Sequence, residues 1–431
     1  MTELMLFLSF FVFLILGIPI AISIGLATLL AMMMSIDFLP AVTTIAQRLA
    51  GGINSFALLA IPLFVLSGLI MGRGGIAQRL IYFSRSLIGA VPGGLAFVNV
   101  IACVLFGSIS GSAVASTTAI GSVMAPAMDE DKYKREFTAA LTASASTTGL
   151  IIPPSNALIV FALASGGVSI SALFVAGYIP GLLVALGLIL ASWIYVRQHP
   201  TKAASPTSLE TLFHALLAAL PSLALILIVI GGIIAGLFTA TEAGGVAVAY
   251  ALALSILVYR ELTISELPEL FLDAAKTTAA VMILVGTSIA MSWLLAYQSI
   301  PIHVAIFLGS LSENPLVILL LINITLLIVG SFMDMTPAVM IFTPIFLPVA
   351  VELGMSPVHF GIMMVLNLSI GLCTPPVGSV LFVSSAVMET PLQKLIKPLM
   401  PMYLAMIAVL AVVTYLPAVS MALPRFLGLT S

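Results

Sequence analysis

Long apolar runs separated by short polar or charged stretches make up this chain, and the polar stretches divide it into elements. The first run, residues 4–34, exceeds one bilayer crossing of about 20 residues. Gly17-Ile18-Pro19 interrupts it, so the pattern predicts one kinked helix or two short ones. A loop with Asp37 and Arg48 is expected next, then a run at 56–71. In residues 73–85, Arg73, Arg79 and Arg85 alternate with apolar residues, as in an interfacial helix. Residues 137–164 form an apolar run interrupted at 149–155, and 170–196 an uninterrupted one. The least hydrophobic segment, 197–214 with Pro200 and Pro206, reads as a linker. Runs at 216–238 and 243–259, an amphipathic stretch at 261–276 and a run at 279–297 follow. Residues 298–314 read as a loop; an interrupted run at 357–388 and a last run at 398–419 close the pattern.

Two segments, 92–128 and 315–349, have a different pattern. In each, apolar arms of roughly 14 residues flank a polar tip, and each arm is short for a crossing of about 20 residues. They read as re-entrant hairpins. The first tip is Gly107-Ser108-Ile109-Ser110-Gly111-Ser112, and the second is Gly330-Ser331-Phe332-Met333-Asp334-Met335-Thr336-Pro337. Gly330-Ser331 follows Gly107-Ser108 by 223 positions. The breaks keep step: Gly371-Leu372-Cys373-Thr374-Pro375-Pro376 follows Gly149-Leu150-Ile151-Ile152-Pro153-Pro154 by 222. Interrupted apolar segments at corresponding positions of two halves are the best sequence pointer to a transporter's binding site. The pattern therefore predicts an all-α polytopic membrane protein built from two repeats, 1–196 and 215–431, joined by the linker 197–214. Each repeat holds a re-entrant helical hairpin and a broken transmembrane helix.

Charge sets the orientation. Lys132, Lys134, Arg135, Arg197, Lys202, Arg260, Lys276, Lys394, Lys397 and the three arginines of 73–85 are expected on the cytoplasmic side. The loops 165–170, 298–314 and 350–357 hold no Lys or Arg and are expected outside. One hairpin then opens to each side, and the repeats are inverted.

Composition agrees: of 431 residues, 61% are hydrophobic and 7% charged, whereas soluble domains carry about 25% charged residues. No basic patch suits nucleic acid, and the net charge of −2 says nothing about partners. There is no phosphate-binding loop, no Ser/His/Asp arrangement and no metal-ligand spacing, so an enzyme is not expected. Cys103 and Cys373 read as small packing residues, Trp193 and Trp293 as interface anchors, Met32-Met33-Met34 as lipid-facing, Glu242 as a helix cap, and His303 and His359 as loop or interface residues.

The tips carry the candidate chemistry. Backbone carbonyls and hydroxyls at unwound segments suit a sodium ion, which takes hard neutral oxygens. On the first side, Ser108, Ser110, Gly111 and Ser112 are expected to face Gly149, Ile152 and Ser155. On the second, Gly330, Ser331 and Thr336 are expected to face Gly371, Thr374 and Val377. Small residues also simply allow close helix packing, and for any single serine that is the simpler reading. Four breaks at matched offsets favour a site. Asp334, an acid within a tip, is a further functional candidate.

Residues 107–115 with Ile120-Gly121, residues 149–155 with 173–181, Gly17-Ile18-Pro19-Ile20-Ala21, and residues 334–348 together resemble the large membrane subunit of tripartite ATP-independent periplasmic (TRAP) transporters, the DctM family. The resemblance covers nearly the whole chain. It implies an elevator-type transporter in the bacterial inner membrane, importing an organic acid with sodium and using no other cofactor. It also implies two partners, a small DctQ-type membrane subunit on a separate chain and a periplasmic substrate-binding protein. Sodium then falls on the tips and breaks named above, and substrate near Ser110, Ser112, Ser116 and Thr336. C4-dicarboxylates, sugar acids and sialic acid are all substrates within the family. A stand-alone sodium-coupled carrier of the divalent-anion type, or an uncoupled channel or structural subunit, is the alternative.

Overall fold

The computed structural model describes residues 2–88, 91–199, 208–375 and 377–430, and among these there is no strand. Among the described residues, eight helical segments are long and apolar enough to cross a membrane.

The first run is two helices, α1 (Thr2–Ile15) and α2 (Ile20–Met32), packed against each other, with Gly17 at φ +78° in the turn. The expected loop after it is a helix, α3 (Phe38–Ile53). Its apolar positions Ala41, Ile45, Leu49 and Ile53 recur every four residues, while Thr43, Gln47 and Arg48 occupy another face. Next come α4 (Ala60–Arg73), α5 (Ile76–Ile88), which is the arginine-bearing amphipathic stretch, α6 (Gly94–Ser110), α7 (Ala113–Glu130), α8 (Arg135–Ser146), α9 (Asn156–Ala164) and α10 (Ile170–Gln198). Residues 200–207, the middle of the expected linker and with it Lys202, lie outside the described residues.

The second half starts with α11 (Leu209–Ile234) and α12 (Ala240–Ala253). Thr239 and Glu242 form a reciprocal capping box at the start of α12, the role expected of Glu242. Residues 267–276 of the amphipathic stretch and the run after it are one helix of 31 residues, α13 (Leu267–Tyr297). Residues 298–314 are mostly a helix as well, α14 (Ile300–Leu311), with Pro301 in the first turn, where it forfeits no helical hydrogen bond. Then follow α15 (Pro315–Phe332), α16 (Met335–Glu352), α17 (Pro357–Gly371), α18 (Ser379–Val387), α19 (Leu392–Tyr415) and a short α20 (Ala418–Phe426). The hairpin arms run 17 and 18 residues in the first hairpin and 18 each in the second, longer than expected.

Packing separates two groups of helices. In one, α4 lies along α12 and α13, and α13 also covers α2 and α3. In the other, α6 to α9 pack with α16 to α19, so both tips and both broken helices share one body. The groups meet where α13 touches α16 and where α4 touches α6, α7 and α9.

Two side-chain expectations change. His359 is neither loop nor interface: it is 1% exposed in the first turn of α17, with Nδ1 2.6 Å from Ser420 Oγ. Met32 is fully buried, while Met33 and Met34 are exposed. A polar network ties α15, the first arm of the second hairpin, to α17 and α19: Asn367 Nδ2 donates to Asn323 Oδ1 (2.6 Å), and Asn323 Nδ2 donates to Thr414 Oγ1 (3.1 Å). Cys103 and Cys373 are buried packing residues, as expected.

Candidate functional site

The first tip forms because α6 stops at Gly111, at φ +60°, where a side chain would be strained. Gly111 donates its N–H to Gly107 O (2.8 Å), and Ser112 restarts the chain as N-cap of α7 by accepting from Ala115 N–H (3.3 Å). Gly107 presses against the first break: a Cβ there would lie 2.7 Å from Gly149 Cα. Beyond it, a Cβ on Gly111 would lie 3.2 Å from Pro154 O.

The second tip repeats this contact. A Cβ on Gly330 would lie 3.1 Å from Gly371 Cα, and one on Gly371 2.6 Å from Gly330 Cα. Gly378 N–H, in the second break, donates to Ser331 O (3.2 Å). Pro376 of that break lies outside the described residues. Each tip thus sits backbone to backbone on the break paired with it in the sequence.

The hydroxyls of the expected sodium ligands close back onto the chain. Ser108 Oγ donates to Leu105 O (2.9 Å), Ser331 Oγ to Ile328 O (2.7 Å) and Thr374 Oγ1 to Ile370 O (2.9 Å). Ser155 Oγ donates to Leu150 O and caps α9. A hydroxyl that gives its proton to a carbonyl keeps its lone pairs for a cation. Ile152 turns its side chain toward Gly181, so only its backbone is free for such a role. Val377 is 42% exposed.

Between the tips lies a cavity of about 680 Å³. Ser110, Gly111 and Ser112 line it from the first tip, and Asp334 and Thr336 from the second. Ser116 is not among the lining residues; it is fully buried behind the tip, with Oγ donating to Cys103 O (3.4 Å). Among the lining residues that the sequence did not mark are Arg73, Asn156 and Ser379. Arg73, at the end of α4, reaches the cavity while paired with Glu269 (3.3 Å) and Asp273 (3.1 Å) of α13. Asn156 and Ser379 are the first residues of α9 and α18. Their signal was available, since each restarts a helix after a break. The cavity offers neutral hydroxyls and carbonyls, one amide, one acid and one balanced cation, a set suited to binding a polar solute.

Residues 7–419 match the family described as Tripartite ATP-independent periplasmic transporter, DctM component. The chain is 48% identical to YgiK of Salmonella typhimurium, over 97% of this chain and 96% of that one. It is 40% identical to the C4-dicarboxylate TRAP transporter large permease protein DctM of Pseudomonas aeruginosa, over 95% of each chain. It is 39% identical to the 2,3-diketo-L-gulonate TRAP transporter large permease protein YiaN of Escherichia coli, over 93% of this chain and 95% of that one. Its fold is similar to the crystal structure of the Alcanivorax borkumensis YdaH transporter, with a TM-score of 0.62 and 16% identity over 87% of this chain and 88% of that one.

Proposed function

The chain belongs to the DctM family of TRAP transporters, and we propose that it is the permease subunit that carries an organic acid into the cell together with sodium. As a multi-pass membrane protein of a transporter family it is a permease rather than an enzyme. The observation that supports the finer reading best is the shared cavity: both tips and both restarted half-helices line it, so one solute would touch both halves. Tip and break carbonyls, with the Ser108, Ser155, Ser331 and Thr374 hydroxyls beside them, would hold sodium at the two backbone contacts. Substrate would lie between the tips, near Ser110, Ser112 and Thr336, with Asp334 positioning the second tip. Ser116, behind the tip, would act through the helix it braces.

In this reading the two halves are inverted repeats in the bacterial inner membrane. The helix group that carries the tips moves against the group built on α4, α12 and α13. A small DctQ-type membrane subunit and a periplasmic binding protein complete the transporter. The relatives' named substrates, a C4-dicarboxylate and a diketo sugar acid, support an organic acid as cargo. Expression with the small subunit tests the assembly: the two should co-purify, and uptake should require the binding protein. Full uptake by this chain alone would favour a stand-alone carrier instead.

A further inference from the structure

Asn156 and Ser379 lie 223 positions apart, the spacing that separates Gly107 from Gly330. They hold the same place in the two halves, the first residue of the half-helix that restarts after each break. Both line the central cavity. Asn156 Oδ1 and Ser379 Oγ are buried and have no hydrogen-bond partner among the described residues. Turning the Asn156 carboxamide over only exchanges an unpaired acceptor for an unpaired donor. The Asp334 carboxylate lies close enough to interact with the Ser379 hydroxyl, but the pair does not meet the distance and angle limits of an ordinary hydrogen bond.

Folded proteins pair nearly all buried polar groups, because an unpaired one costs the hydration it has lost. One orphan could be a local accident of packing. Two orphans at the same register of both halves, on the wall of one cavity, point to a ligand that pairs them. We infer that Asn156 and Ser379 contact the transported acid and read its hydroxyl groups, an inference that rests on the transport reading above. A carboxamide and a hydroxyl each find a full match in a ligand hydroxyl, which donates and accepts. A carboxylate only accepts, and Asp334 already places an acceptor on this wall. The ligand edge that meets these three residues therefore carries O–H donors, and its carboxylate faces another part of the cavity. The substrate class is a hydroxylated carboxylic acid rather than an unsubstituted dicarboxylate. A site built to bond a hydroxyl rejects the analogue without it, because the site's own polar groups then stay unpaired.

The test uses pairs of acids with one carbon skeleton: tartrate against succinate, and galactarate against adipate. Thermal stabilisation of the purified complex with its small subunit, in sodium buffer without the binding protein, gives each half-saturating concentration. The hydroxylated member of at least one pair should half-saturate at about tenfold or more lower concentration, a difference of about 1.4 kcal/mol. Asn156→Ala and Ser379→Ala should each raise that concentration about tenfold and leave the plain acid unchanged. Without ligand, neither variant should melt lower than the parent, since neither side chain makes a hydrogen bond of ordinary geometry to the protein; a lower melting point would mark a structural role and overturn the inference. Equal affinity for both members of each pair, or variants that weaken both members equally, would overturn it too. A parent complex that, with its binding protein, accumulates no organic acid in vesicles would overturn the transport reading itself, a different result from equal uptake of both members.

Discussion

Gly371 meets Gly330 backbone to backbone: a Cβ on Gly371 would sit 2.6 Å from Gly330 Cα and C. No flexible side chain stands there to yield, so Gly371→Ala must push the second tip off its break. Overpacking of this kind costs about 1–3 kcal/mol. Thermal melting of the purified complex should show that loss, with uptake falling further than stability. Gly309→Ala, where nothing lies within 4 Å, should leave both unchanged.

Ser108→Ala and Thr374→Ala each remove one hydroxyl and add no bulk. If these hydroxyls serve only their own helices, the loss should be small, since hydrogen bonds between membrane helices average roughly 0.6 kcal/mol. As sodium ligands they matter more: a loss of about 1.4 kcal/mol lowers sodium affinity about tenfold. The sodium concentration for half-maximal uptake should rise by about that factor, with assembly intact. Thr325→Ala, an exposed hydroxyl bonded to Leu321 O (2.9 Å), is the control. Variants that keep the parent's sodium dependence would remove these two hydroxyls from the site.

Asn323→Leu should destabilise the second hairpin by roughly 0.6–1.7 kcal/mol, the range of membrane helix hydrogen bonds. It takes an acceptor from Asn367 Nδ2 and a donor from Thr414 Oγ1. Replacing Asn367 with Leu as well should recover part of the loss, because it also removes the buried, unpaired Asn367 Oδ1. A double-mutant cycle on thermal unfolding measures the coupling, and strict additivity would contradict the network.

The orientation drawn from Lys and Arg predicts that Glu313→Cys reacts with an impermeant thiol reagent added to intact cells and that Lys134→Cys does not. Both native side chains are exposed, and the two native cysteines are buried, which keeps the background low. The opposite labelling pattern would reverse the topology.

The tips and breaks were legible because glycine, serine and proline are out of place in apolar helices, and the offsets of 223 and 222 paired them before any contact was known. The capping role of Glu242 was legible from its position at the break between two apolar runs. Residues 38–53 and 300–311 were missed because their short helices were judged by charge alone, when the four-residue apolar spacing of α3 already marked a helix. His359, near the start of the run at 357–388, reads from the sequence as a loop or interface residue. Ser420 of α20 against its Nδ1 and Thr414 O of α19, 3.4 Å from its Nε2, enclose it in the fold. Asn156 and Ser379 were passed over because the serines and glycines around them drew the reading, and an unpaired atom shows only once its neighbours are placed.

The central claim is sodium-coupled import, and uptake by proteoliposomes holding the complete complex tests it most directly. With the binding protein outside and an inward sodium gradient, the acid should accumulate above its external concentration, and collapse of that gradient should stop it. Equal accumulation in potassium buffer driven by a proton gradient would contradict the account.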